Sequence, residues 1–294
     1  MKRYVSKRKV RILYILFLMM VLLVFCAAVP SFYESPGGER AGADPASADE
    51  AVRSENAPAT PSSASRATPS DASATPDEPA PDKHEIDVEA MYQNELSSGC
   101  EVYAAVTLLR YYGYDVDEFE FSEDYVTTHP NSYGDGGYCG PDLNSAFAGD
   151  PETGYGAYAP VLRSAINSYL DDEKSDDIAV IEKELTLGEL CGRYIARDNP
   201  VMVWVTTDME LPYDYITWTV DYVDENATTE EGDEFSWPVN EHCMLLTGYD
   251  GDSFYFADSL EGGIVSYERE QCEKVFEELG FQAVVLSRDG NRTD

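Results

Sequence analysis

Residues 98–113 read SGCEVYAAVTLLRYYG, and the fold turns on this stretch. A Ser-Gly pair leads into Cys100. Behind it the chain is apolar on nearly every side, through Val102, Tyr103, Ala104, Ala105, Val106, Leu108, Leu109, Tyr111 and Tyr112, until Gly113 closes the run. A helix with no polar face is a buried one, so the stretch predicts a core helix carrying a thiol in its first turn. The unpaired N–H groups and the dipole at that end favour thiolate over thiol. A structural cysteine that merely starts a core helix fits the same residues. The stretch alone does not separate the two.

Around it lies a chain of 294 residues with a formal net charge of −36. Residues 1–83 hold 10 of the 20 Lys+Arg and 10 of the 56 Asp+Glu, so the whole imbalance falls on residues 84–294. A field of that sign disfavours nucleic acid and anionic lipid and favours cationic partners. A solvated surface selected for solubility is the commoner cause. Cys26 lies in an N-terminal apolar run, leaving Cys100, Cys139, Cys191, Cys243 and Cys272. An odd number fits one free thiol and at most two bridges. With no CxxC pair and 3 histidines, a zinc site has little to stand on, and no cofactor or metal is expected.

Three segments are expected. Residues 1–30 combine a basic flank (Lys2, Arg3, Lys7, Arg8, Lys9, Arg11) with the charge-free run ILYILFLMMVLLVFCAAVP at 12–30. That order gives an N-in orientation, with a membrane anchor favoured over a cleaved signal and everything later outside the cytoplasm. Residues 31–83 form a Pro/Ala/Ser-rich linker in which Ala-Thr-Pro recurs, too poor in apolar surface to pack. Residues 84–294 form one domain of ordinary size, expected as a monomer.

Within it the pattern predicts helices at 161–170, 187–196 (with Thr186 as N-cap) and 268–279. Strands are expected at 178–181, 200–206, 215–223, 242–248, 253–258, 263–267 and 281–287. Residues 131–160 read as a glycine- and aromatic-rich loop region, and 224–236 as an acidic loop. Helices first and antiparallel strands after make an α+β order.

A cysteine nucleophile needs a base near neutral pH, and histidine supplies one. His84 sits at the linker edge and His129 in a Thr-His-Pro loop, whereas His242 opens the apolar strand HCMLLTGYD. Asp258 ends the next strand, FYFAD. With a three-residue loop Tyr249-Asp250-Gly251 and Gly251 left-handed, residue 242 faces 258. A two-residue turn would instead put them on opposite faces. Cys243 points away from His242, which argues against it as nucleophile. Gln93, seven residues before Cys100, is the candidate to hold an oxyanion together with the Cys100 N–H.

The blocks YQNELSSGCEVYAAVTLLRYYGYDV, FAGDPETGYGAYAP, NPVMVWVT, EHCMLLTGYD and FYFADSLEG, in that order, resemble the bacteriocin-processing-peptidase-like family, related to cysteine peptidase family 39. The resemblance implies a papain-like fold, a Cys-bearing helix packed on an antiparallel sheet that carries His and Asp. It also implies Cys100 as nucleophile, His242 as base, Asp258 as the acid that orients it, and Gln93 as the oxyanion glutamine. The expectation is an exported thiol peptidase acting on peptides, basic ones by the charge. A cell-wall amidase or transpeptidase of the same chemistry stands as the alternative, as does a binding module without turnover.

Overall fold

The computed structural model describes residues 81–134 and 137–288. The anchor reading at 12–30 and the linker reading up to residue 80 lie outside them. Among the described residues no helix is long and apolar enough to cross a membrane.

In chain order, β1 (His84–Glu85) precedes α1 (Cys100–Tyr111), α2 (Glu118–Tyr125), β2 (Thr128–His129), β3 (Ser132–Gly134), β4 (Gly137–Pro141) and β5 (Phe147–Ala148). There follow α3 (Ala159–Glu173), β6 (Ile178–Glu182), α4 (Leu187–Arg193), β7 (Val201–Thr206), β8 (Tyr215–Tyr222), β9 (Glu234–Pro238) and β10 (Glu241–Tyr249). The chain closes with β11 (Ser253–Asp258), β12 (Gly263–Glu268), α5 (Arg269–Glu278) and β13 (Ala283–Ser287).

The apolar run does form the expected helix. All of α1 from Cys100 to Leu109 is buried, and it packs against β10 and β7. Side chains such as Val102, Leu108 and Leu109 have no exposed surface, and each such burial stabilises by roughly 1.5–3 kcal/mol. The helix starts at Gly99 for want of room: a Cβ there would stand 2.9 Å from Leu96 Cβ and 3.3 Å from Pro151 Cβ. Having no side chain, Gly99 offers the first N–H groups of α1 no cap.

The main sheet runs β12-β11-β10-β7-β13-β6, with β1 added to β10, and all its pairings are antiparallel. Every residue of β10 is buried. A second sheet, β3-β4-β8-β9, has its own core of Leu143, Ala148, Trp218, Val220, Phe235 and Trp237. There the Trp218 ring stacks on Phe235 at 5.3 Å, and its N–H donates to Pro141 O at 2.8 Å.

Thr186 is the N-cap of α4 in a reciprocal box with Glu189, as its spacing predicts. Two expectations need correction. Residues 224–236 are not all loop, since Glu234, Phe235 and Ser236 already belong to β9 and pair with β8. Residues 131–160 hold β3, β4 and β5 and start α3 at Ala159.

The remaining acidic stretch is pinned from outside. Buried Asp142 accepts hydrogen bonds from Asn144 N at 2.7 Å, Thr228 N at 2.8 Å, Thr229 N at 2.9 Å and Thr229 Oγ1 at 2.8 Å. Burial pulls its carboxyl upward, but these donors outweigh that and hold it below its ordinary value. A depressed folded pKa stabilises above the unfolded carboxylate range, about 3.9, and that stability is lost as pH falls through the lower folded value. Asp142→Ala is therefore expected to cost about 3 kcal/mol near neutral pH and to deprotect the amides of Thr228 and Thr229 in hydrogen exchange. The gap to wild type should begin to narrow below about pH 4 and go on narrowing as pH falls through the lower folded value. A gap that does not narrow there would remove the carboxylate from the explanation.

Candidate active site

The site assembles where the start of α1 meets β10 and β11. His242 pairs with Val205 of β7, and its side chain is buried against Asp258, with Nε2 2.8 Å from Oδ1. Oδ1 also accepts from Leu260 N at 2.9 Å. Burial tends to raise the Asp258 carboxyl, but the bond and charge of His242 and the backbone N–H groups of Leu260 and Glu261 hold it below its ordinary value. An ionised carboxylate only accepts, so Nε2 carries the proton and Nδ1 is left to act as base.

The pairing arises differently from the expected hairpin. Tyr249 faces Phe254 and Asp250 N donates to Ser253 O at 3.0 Å, which leaves the two-residue turn Gly251-Asp252. Gly251 is not left-handed. Such a turn alone would put residues 242 and 258 on opposite faces. A bulge between Leu246 and Gly248 restores the parity, with Leu246 facing Phe256 but Gly248 facing Tyr255. His242 therefore meets Asp258 diagonally rather than head-on.

The thiol of Cys100 lies against the His242–Cys243 peptide, with the Cys243 N–H donating to Sγ at 3.4 Å. The thiol itself donates to Glu101 Oε2 at 3.3 Å rather than to the imidazole. The thiolate expected from the helix dipole is not favoured in this arrangement. Burial first, then the charges of Glu101, Glu241 and Cys243, push the thiol well above its ordinary value, opposed by the Cys243 N–H.

Sequence reasoning missed the two carboxyls. Glu101 has no exposed surface and Glu241 is 7% exposed. Burial pushes Glu101 up to about 7 despite its hydrogen bonds, and burial followed by the charge of Glu101 raises Glu241 too. Glu101 follows Cys100 and Glu241 precedes His242 in the quoted Gly-Cys-Glu and Glu-His blocks, a signal lost among 56 acids.

Gln93 reaches the region from the loop before α1. Its backbone N–H donates to Ser259 O at 2.7 Å, its Oε1 accepts from Ser259 Oγ at 2.9 Å, and its Nε2 donates to Leu96 O at 3.0 Å and Ser97 O at 2.9 Å. The amide is anchored beside the Asp258 strand, with both N–H groups engaged. The other histidines have partners elsewhere: His84 meets Asp198 at 2.8 Å, while His129 meets Asp221 at 3.2 Å and stacks on Tyr222. All five cysteines of the described residues are free thiols.

A buried helix headed by a cysteine, on an antiparallel sheet whose middle strands bear a buried His and Asp, is the papain-like α+β class. The chain belongs to the Peptidase_C39-like family, whose model matches residues 85–284. YvpB, an uncharacterized protein of Bacillus subtilis (strain 168), is 30% identical over 200 residues, covering 66% of this chain and 70% of that one. The crystal structure of a Bacillus anthracis protein named as a C39-like peptidase superposes with a TM-score of 0.57 at 27% identity, over 69% of this chain and 96% of that chain. Family and fold together indicate a cysteine peptidase.

Proposed function

We propose that this chain is an exported cysteine peptidase using Cys100, His242 and Asp258. The observation that carries the reading is the buried His242–Asp258 pair, on the strand whose next N–H bonds the Cys100 thiol. In the reaction the thiol turns from Glu101 to His242 Nδ1 and gives up its proton there. The sulfur attacks the scissile carbonyl carbon. The Cys100 N–H, uncapped at the helix start, and Gln93 Nε2, released from one of its two carbonyls, stabilise the oxyanion. The imidazolium then protonates the leaving amine, and water hydrolyses the thioester with His242 again as base.

Exposed apolar side chains flank the site and suit a peptide chain. Tyr92 packs over Gly262, just beyond Asp258, and Leu260 stands beside it. Next to Glu241 in the chain, Asn240 holds the backbone of the exposed Leu211 and Tyr213 with its side chain, and Tyr213 O accepts from the N–H of the exposed Val239. The acidic surface adds a preference for basic peptides. The test is peptide-library cleavage together with labelling by a thiol-directed acylating probe. A folded protein that neither acylates nor cleaves would be a binding module.

Two expected results accompany this reading. The kcat/KM for a Lys/Arg-rich peptide should fall as salt rises while a neutral peptide stays nearly indifferent; equal responses would return the acids to solubility alone. Residues 84–294 should be digested by protease added to intact cells while the first eleven residues stay protected. Full protection of the domain would remove the export assignment.

A further inference from the structure

The three acidic groups at the start of α1 and of β10 have a chemistry that peptide cleavage does not use. Ligand atoms of Cys100, Glu101 and Glu241 all lie within 4.8 Å of one another. Neither carboxylate forms an ion pair among the described residues. Each is instead held through one oxygen and has the other to give. Glu101 Oε1 accepts from Ala157 N at 2.7 Å, leaving Oε2 to the thiol at 3.3 Å. Glu241 Oε2 accepts from Trp237 Nε1 at 3.3 Å. Its Oε1 is buried with no hydrogen-bond partner, on a residue only 7% exposed.

Gly156 leaves the room behind the carboxylates that lets the two oxygens approach. A Cβ there would stand 2.8 Å from Glu101 Oε1 and 2.9 Å from Glu241 Oε2, the two oxygens already anchored. N–H donors on the far oxygen are how proteins orient carboxylate ligands. The unpartnered Glu241 oxygen is costly where it stands, and a cation would relieve it.

We propose that Cys100, Glu101 and Glu241 bind one thiophilic divalent cation, with zinc as its representative, and that the bound ion inhibits. A thiolate with two carboxylates selects such a metal over magnesium or calcium. In a tetrahedral site with Zn–S of about 2.3 Å and Zn–O of about 2.0 Å, neighbouring ligand atoms are about 3.5 Å apart. The observed cluster meets that after side-chain shifts of little more than about an ångström. Binding exchanges protons for the metal: the S–H bond breaks as an S–metal bond forms, any proton held by Glu101 or Glu241 is given up as its oxygen ligates, and these protons leave to solvent with no change of oxidation state. The negative field of residues 84–294 concentrates cations at the surface, and the ion enters by the path a substrate uses to reach Cys100. Metal on sulfur removes the nucleophile. That inhibitory consequence rests on the peptidase reading, whereas the binding site does not.

The test is titration of the full chain with Co²⁺, read by its thiolate charge-transfer absorption, alongside Zn²⁺ inhibition of peptide hydrolysis. One equivalent should give the band. Cys100→Ala should abolish it and Cys139→Ser should keep it. Folded Glu241→Gln or Glu101→Gln should bind at least tenfold more weakly, and either one suffices. Zinc should inhibit wild type reversibly, relieved by chelator, with magnesium inert. A band that survives Cys100→Ala, glutamine variants that bind as wild type, or no band at all would overturn the site. If the band behaves as expected but wild type never hydrolyses peptides, the peptidase reading fails and the site stands. Zinc-insensitive hydrolysis without a band gives the reverse.

Discussion

Cys100→Ala is expected to reduce peptide hydrolysis by on the order of 10⁴-fold or more, because removing the nucleophile removes the covalent route. The domain should stay folded. Alanine is the best helix former, and the atom lost makes two polar contacts, to Glu101 and to the Cys243 N–H. Circular dichroism checks folding, and steady-state hydrolysis of one fluorogenic peptide checks the rate. Cys243→Ser and Cys139→Ser should retain activity. The Cys243 side chain alternates away from His242 along β10, and Cys139 lies on β4 in the second sheet. A folded Cys100→Ala protein with near wild-type turnover would show that the nucleophile lies elsewhere.

His242→Ala is expected to be nearly as severe, about 10³-fold or more. The reason is particular to this site. A thiol near its reference value is a few per cent ionised at neutral pH, but burial and two carboxyls raise this one further, so a base is needed more than usual. Asp258→Asn should cost less than His242→Ala, because an asparagine serves as the third member of papain-like Cys-His-Asn sites. The substituted amide can still accept a hydrogen bond from the ring, but it orients the imidazole less well and no longer stabilises the imidazolium. The ordering Cys100→Ala, then His242→Ala, then Asp258→Asn is the checkable content. If Asp258→Asn were harmless in a folded protein, the bond seen between Oδ1 and Nε2 would be structural only.

Much of this arrangement can be read from local sequence where one physical effect dominates. The α1 helix follows from apolar residues on every side, and the α4 cap from Thr186 and Glu189. Helix α2 is harder because EFEFSEDY buries only Phe121 and Ser122; its signal is Asp117, whose side chain accepts from Phe119 N and Glu120 N. Strand β9 hides in an acidic stretch, its two-residue alternation resting on Phe235 and Trp237. The parity of His242 and Asp258 depends on a bulge near Thr247 that local pattern does not announce. The dipole argument for a thiolate is sound for an exposed helix end. It fails here because Glu101 and Glu241 become buried neighbours of the thiol only when α1 meets β10.

The central claim is that Cys100 is the attacking atom, and peptide mapping of the acylated protein tests it most directly. The wild-type chain treated with an acylating peptide probe should gain one adduct mass, mapped to Cys100, with labelling greatly slowed in His242→Ala. An adduct on Cys139 or Cys243, or peptide cleavage that proceeds in a folded protein without acylation at Cys100, would contradict the account.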